Sequence, residues 1–196
     1  MKETPRNHKL FYGSSYDRGL DILLSLWPKI KEKYPDATLD ICYGWELFDK
    51  GYADNPERQA WKEKVSAQMK QPGITHHGRV GKEELKQIRE KCGIWAYPTY
   101  FSEIFCITAL DAQNDGLVPC TSDYGALAET VQSGFKVHAE DGDAIYDYEV
   151  KKQWLDNLFK LMDDEKLWEQ ESKKAREFAK DFSWDRISNQ WIKEMQ

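Results

Sequence analysis

The chain has 196 residues, of which 40% are hydrophobic and 32% charged, with eight tryptophans. That suits one domain, or a domain with a helical appendage, and excludes a disordered chain. Its 28 basic and 34 acidic residues give a formal net charge of −6, which argues against a broad nucleic-acid surface but leaves room for a local basic pocket.

Residues 1–7 are polar and contain Pro5, and read as a flexible start. Lys9-Leu10-Phe11-Tyr12-Gly13 reads as a first strand running into a small polar loop, Ser14-Ser15-Tyr16-Asp17-Arg18-Gly19. Leu20, Leu23, Leu24 and Trp27 then recur at helical spacing, continued by Ile30 and Tyr34 until Pro35-Asp36 stops the helix. A second strand covers 37–43 and ends at Gly44; 45–55 reads as irregular, and 56–70 as a helix with Trp61, Val65 and Met69 inward. Ile74-Thr75-His76-His77-Gly78 is a third strand, followed by the turn Arg79-Val80-Gly81 and a charged helix over 82–91.

The apolar run Ile94-Trp95-Ala96-Tyr97 predicts a buried fourth strand that ends at Pro98. A polar loop follows, and a helix begins near Phe105 and stops at Asp115-Gly116. A fifth strand (117–121), a turn (122–125), a helix (126–132) and a sixth strand (135–138) complete the alternation. Beyond 141–143 come three helices, roughly 144–162, 165–181 and 184–195. Strands alternating with helices, then helices alone, predict an α/β fold: a parallel sheet of about six strands flanked by helices, with a helical C-terminal tail. Ligands of such sheets bind beyond the carboxyl ends of the strands. Polar and glycine residues collect in the loops at that rim: 14–19, 78–81, 100–103 and 122–125.

The stretch 98–111 carries the chemistry. Glu103 precedes the helix and Asp111 lies one to two turns into it, at most about 12 Å away along the axis. Between them, the free N–H groups of the first turn and the helix dipole form an anion site. Acid, anion site and acid suit a molecule with hydroxyls at both ends and phosphate between, the layout of a nucleoside-diphosphate sugar. Carboxylates at a helix start also favour the dipole without any function.

Glu103, seven residues and Asp111, followed by 116–131 with Gly125, Glu129 and Val131, resemble the C-terminal, donor-binding domain of retaining GT-B glycosyltransferases of family GT4. Arg18-Gly19 and the leucines after it resemble that family's phosphate loop. Gly78-Arg79-Val80 with Glu83-Glu84-Leu85 resembles its base-side segment, and Phe182-Ser183-Trp184 the opening of its terminal helix. The resemblance implies a Rossmann-like nucleotide-sugar-binding domain over 8–143, with 144–196 a helical tail packing on it. It implies that Asp111 holds ribose hydroxyls and Glu103 contacts the transferred sugar. The N–H groups of Phe105, Cys106 and Ile107 would meet the distal phosphate, with Gly13 and Ser14 also binding the donor. Arg18 would neutralise the diphosphate, and backbone at Arg79 and Val80 would lie against the base. No metal or cofactor is expected, because the cation and helix dipole supply the positive charge.

This sequence departs from the family pattern in several places. Asp111 stands where the family has Glu; Glu103-Ile104-Phe105-Cys106 lacks two glycines; and Tyr12 occupies the place of an arginine, leaving a weaker phosphate site or one served by Lys9 or Arg6. Only one of the family's two domains is represented, so the N-terminal acceptor domain is missing or separate. Two readings stay open: the donor half of a glycosyltransferase of hexosyltransferase type, or a truncated, inactive binding module.

The remaining features read as structural. Cys42, Cys92, Cys106 and Cys120 form no C-x-x-C pair, which suits reduced thiols of a cytoplasmic protein better than zinc or disulfides. His76 and His77 point to opposite faces of their strand. The tail aromatics, Trp154, Phe159, Trp168, Phe178, Phe182, Trp184 and Trp191, are expected in the core. The start is polar and no apolar run approaches the roughly 18 residues of a membrane span, so neither a signal peptide nor a span is expected, and the mixed charges of the tail argue against membrane association.

Overall fold

The structure, a computed structural model, describes residues 4–139 and 141–195. The short apolar runs become six strands: β1 (Lys9–Tyr12), β2 (Thr38–Cys42), β3 (Ile74–Gly78), β4 (Ile94–Tyr97), β5 (Val118–Ser122) and β6 (Phe135–Val137). They form one sheet in the order β3-β2-β1-β4-β5-β6, with every pairing parallel. This is the expected α/β fold. β4 and β5 are buried along their whole length, as a sheet covered on both faces requires. Pro119 sits inside β5 at little penalty. The Val118 N–H donates toward β4, to the Gly93 carbonyl (2.8 Å), so the missing Pro119 N–H faces β6, whose pairing starts only at Cys120.

The helices are α1 (Leu20–Lys33), α2 (Glu46–Tyr52), α3 (Pro56–Gln68), α4 (Lys82–Lys91), α5 (Ile107–Asn114) and the single turn α6 (Leu127–Thr130). The tail adds α7 (Tyr148–Asp163), α8 (Glu165–Ala179) and α9 (Trp184–Glu194). α7 packs on β5 and β6, and α8 on β5 and α5. Three indoles are locked by N–H bonds to backbone carbonyls: Trp27 to Pro72 (2.9 Å), Trp154 to Cys120 (3.1 Å) and Trp168 to Gly93 (2.8 Å). Each buries a large apolar surface without stranding its one polar atom.

The structure differs from the sequence reading at several places. Residues 46–52 are helical, because Trp45, Phe48 and Tyr52 recur at helical spacing: Phe48 stacks on the Trp61 indole at 5.4 Å, Trp45 meets it edge-on at 5.9 Å, and Tyr52 packs on Phe48 at 4.9 Å. α5 starts at Ile107, with Cys106 as its N-cap, two residues later than expected. Trp184 and Trp191 are not core: they are 87% and 67% exposed, and α9 buries no residue. α9 packs against the short turn Lys180–Phe182 instead of the sheet; apolar periodicity marks a face, not what covers it. At the other end, residues 1–3 lie outside the described part. Arg6 donates to the Cys92 carbonyl (2.7 Å) and Asn7 to the Leu161 and Met162 carbonyls (3.2 and 2.9 Å). Among the described residues, no helix is long and apolar enough to cross a membrane.

Candidate functional site

The strand order reverses between β1 and β4, and the carboxyl ends of two such strands open the crevice where an α/β sheet takes its ligand. The β1 loop carries Gly13 to Gly19 and the β4 loop Pro98 to Cys106. They are latched together. Gly19 has φ +107°, and a Cβ there would run into the Pro98 carbonyl, so only glycine lets the loops close. The Tyr100 hydroxyl donates to the Asp17 carbonyl, and the Tyr12 hydroxyl to that of Ser15 (2.8 Å).

That closure places the Arg18 guanidinium 3.7 Å over the Phe101 ring and in an ion pair with Glu103 Oε1 at 3.5 Å. Tyr97, the last residue of β4, donates its hydroxyl to the same oxygen at 2.7 Å and lies 3.2 Å from Ser14 Oγ. Burial, and then the Glu103 charge, push the Tyr97 phenol upward, so it keeps its proton. The Glu103 backbone is held as firmly. It bridges Gly125 in parallel, and its carbonyl accepts from Ala126 N–H at 2.7 Å. Gly125 has φ +62°, and a Cβ there would stand 2.6 Å from the Glu103 carbonyl oxygen.

At the tip of α5, Cys106 is buried, while Ile104, Phe105 and Ile107 are exposed. Burial, reinforced by the Glu103 charge, pushes the Cys106 thiol up to about 12, which keeps it unreactive. Phe105 and Cys106 precede the helix, so of the three amides expected in its first turn only that of Ile107 belongs to it.

Asp111 lies one turn into α5 and pairs with a different arginine, Arg89 Nη1 at 3.7 Å. Burial raises its pKa, against the pull of Arg89. With Phe105, Ile107, Phe182 and Trp184 it lines a cavity of about 290 Å³ beneath α9. A second cavity, of about 190 Å³, brings Gly13 together with Arg79 and Val80, and adds Tyr43 and Leu85. Tyr43 holds an unusual φ of +151°, the kind of strain that collects at ligand sites. α4 connects the two: Leu85 lines the second cavity, and Arg89, one turn on, reaches Asp111.

Arg6 and Lys9 do not serve the rim. Lys9 opens β1, and Arg6 reaches the Cys92 and Asp115 carbonyls, all at the amino ends of the strands. His76 and His77 do diverge, bonding Tyr16 (2.8 Å) and Asp40 (2.7 Å) respectively.

The sequence profile described as glycosyl transferases group 1 matches residues 5–178. The chain belongs to that family. No curated protein matches it, but solved structures do. The pneumococcal O-GlcNAc transferase GtfA, in complex with UDP and GlcNAc, superposes with a TM-score of 0.69 at 19% identity, covering 96% of this chain and 35% of that one. Anabaena HepE with UDP and glucose gives 0.68 at 17% identity, covering 97% and 48%. Sucrose-phosphate synthase from Thermosynechococcus elongatus gives 0.71 at 20% identity, covering 95% and 44%. These likenesses establish one Rossmann-like half of a GT-B fold. The chain spans less than half the length of each of these three proteins.

Within this group 1 chain, sequence reasoning missed Tyr97 and Tyr43 as rim residues. Tyr97 ends an apolar strand and reads as core. The one signal was its position, a phenol at the carboxyl end of a strand, where polar tips meet the crevice.

Proposed function

We propose that this chain is the nucleotide-sugar-binding half of a retaining, GT4-type glycosyltransferase of hexosyltransferase class, acting with an acceptor-binding domain outside it. The observation that carries the reading is the meeting of Arg18 and Glu103 at the strand switch point, just ahead of the α5 N-terminus. Arg18 and the α5 dipole face the diphosphate and stabilise the leaving group, an electrostatic role worth several kcal/mol at a transition state. No metal is invoked, because these two supply the positive charge. Glu103 is anchored through Oε1 and offers Oε2 to the transferred sugar. Asp111 takes the ribose hydroxyls, with the amides around Phe105, Cys106 and Ile107 on the distal phosphate. Gly13, Ser14, Arg79 and Val80 border the base and its ribose.

UDP in the structures of GtfA and HepE makes UDP and UDP-sugars the first ligands to titrate, followed by ADP and GDP. Calorimetry should show nucleoside diphosphate bound more tightly than nucleoside. Arg18→Ala should weaken the diphosphate more than the nucleoside, and an equal effect on both would remove Arg18 from the phosphate site. A second reading, a binding module without turnover, is favoured by Ile104 and Cys106, which stand where the family has glycine, and by the exposed Ile104, Phe105 and Ile107 at the helix tip. Binding without donor hydrolysis or transfer by the chain alone would select it.

A further inference from the structure

The contacts around Glu103 have a direction. Tyr97 has one hydroxyl proton, and it goes to Glu103 Oε1 at 2.7 Å, because a carboxylate only accepts. Ser14 Oγ, 3.2 Å from the same phenolic oxygen, must then be the donor of that second bond. The order is fixed: Ser14 donates to Tyr97, Tyr97 donates to Glu103, and the Arg18 guanidinium donates to the same Glu103 oxygen. Tyr97 itself cannot shift. It is fully buried, its ring stacks on Trp95 at 4.9 Å and tilts against Tyr12 at 5.7 Å, and its carbonyl accepts from Thr121 Oγ1 at 2.7 Å. Arg18, by contrast, stands on a loop and is a third exposed. Its fixed points are the Phe101 face and the Glu103 oxygen.

We propose that Tyr97 is a positioning residue: by holding Glu103 Oε1 at the end of β4 it sets where the Arg18 guanidinium stands at the rim. This deepens the reading of a diphosphate site and rests on it for its functional consequence, but the positioning itself is testable without a ligand. A hydroxyl at the end of the strand thus fixes the cation of a neighbouring loop, through an acid that also has a free hand for substrate.

The test uses the whole chain, labelled on arginine, with the Arg18 Nε–H signal assigned by its loss in Arg18→Lys. Lying over the Phe101 ring, that N–H carries a ring-current shift. In Tyr97→Phe, which keeps the stacked ring and removes only the hydroxyl, the shift should collapse toward that of a solvated arginine. Glu103→Gln keeps the Tyr97 ring and hydroxyl and should displace the same signal, so the proposal does not depend on one variant folding. An Arg18 signal unchanged in folded Tyr97→Phe overturns the proposal. Titration with inorganic pyrophosphate separates the two levels. Affinity should fall by roughly two- to tenfold in Tyr97→Phe, the weight of one hydrogen bond. A displaced Arg18 signal with no pyrophosphate binding even in the wild type supports the positioning and rejects the diphosphate reading. Binding that Arg18→Ala abolishes, while Tyr97→Phe changes neither it nor the Arg18 signal, keeps that reading and rejects the positioning.

Discussion

Gly125→Ala should perturb the Glu103 loop more than backbone strain alone explains. The residue sits at φ +62°, where a Cβ brings a penalty of about 1–2 kcal/mol. That Cβ would also stand 2.6 Å from the Glu103 oxygen and 2.8 Å from its nitrogen, well inside a normal contact of roughly 3.5–4.0 Å. Both neighbours are backbone, so no side chain can swing aside. Relieving the overlap by moving backbone adds about 1–3 kcal/mol. It also strains the Ala126 N–H bond to the Glu103 carbonyl, 2.7 Å long. Gly78→Ala is the matched control: φ is +67°, but nothing lies within 4 Å of the added Cβ. Gly78→Ala should show the conformational penalty alone. In thermal melts the difference between the variants reads the contact. At about 2–4 °C per kcal/mol for a domain of this size, Gly125→Ala should unfold roughly 2–12 °C below Gly78→Ala. Equal melting temperatures would refute the account of Gly125 as a steric latch on Glu103.

Three further outcomes are expected. Arg89 is buried against Asp115, Nε to Oδ2 at 2.6 Å, so Arg89→Met should cost about 3–5 kcal/mol in urea unfolding, largely recovered when Asp115→Leu is added; no recovery would mean that Arg89 matters through packing. Trp154→Ala should cost about 3–5 kcal/mol, whereas Trp184→Ala, at a site 87% exposed, should stay within about 0.5 kcal/mol; a large loss at Trp184 would mean that α9 is packed otherwise. Gly44 N–H donates to the Tyr16 oxygen at 2.8 Å, leaving the phenolic proton for His76 Nε2, while burial, and then the His77 charge, lower the His76 pKa. The unfolded chain then binds more protons, so stability is full above about pH 6.5 and falls as pH drops from there to the folded value. Melting His76→Asn across that window should show a flatter slope than wild type, and an identical slope would exclude His76.

The sheet was legible because its strands are short apolar runs bounded by Gly, Pro and Asp, and the tail because its helices are long and periodic. The rim was legible for a related reason: loops at strand ends have little to bury, so Arg18 and Glu103 stood out as polar, and the structure pairs them. Side-chain direction was not. Arg6 looked near the phosphate loop in sequence, yet it precedes β1 and so lies at the amino ends of the strands, away from the rim. Asp111 was placed one to two turns into α5, as found, but its pairing with Arg89 depends on how α4 packs beside it. Tyr97 shows the general limit, since a tyrosine in an apolar run reads the same whether its hydroxyl meets water, a carbonyl or a carboxylate. α9 was correctly a helix and wrongly a core helix, because amphipathic spacing is a property of the segment while burial is a property of its neighbours.

The partners at the rim come from opposite sides of the β1–β4 junction: Arg18 and Glu103 are 85 positions apart in the chain. Neither sheet half alone contains the Arg18–Glu103 pair, and a nascent polypeptide stopped before β4 would display Arg18 without Glu103 to meet it. Loop closures this long are slow to be repaid during folding, so the crevice is among the last features to take shape. Any compound that grips it recognises only finished molecules, and would draw the population toward them by mass action.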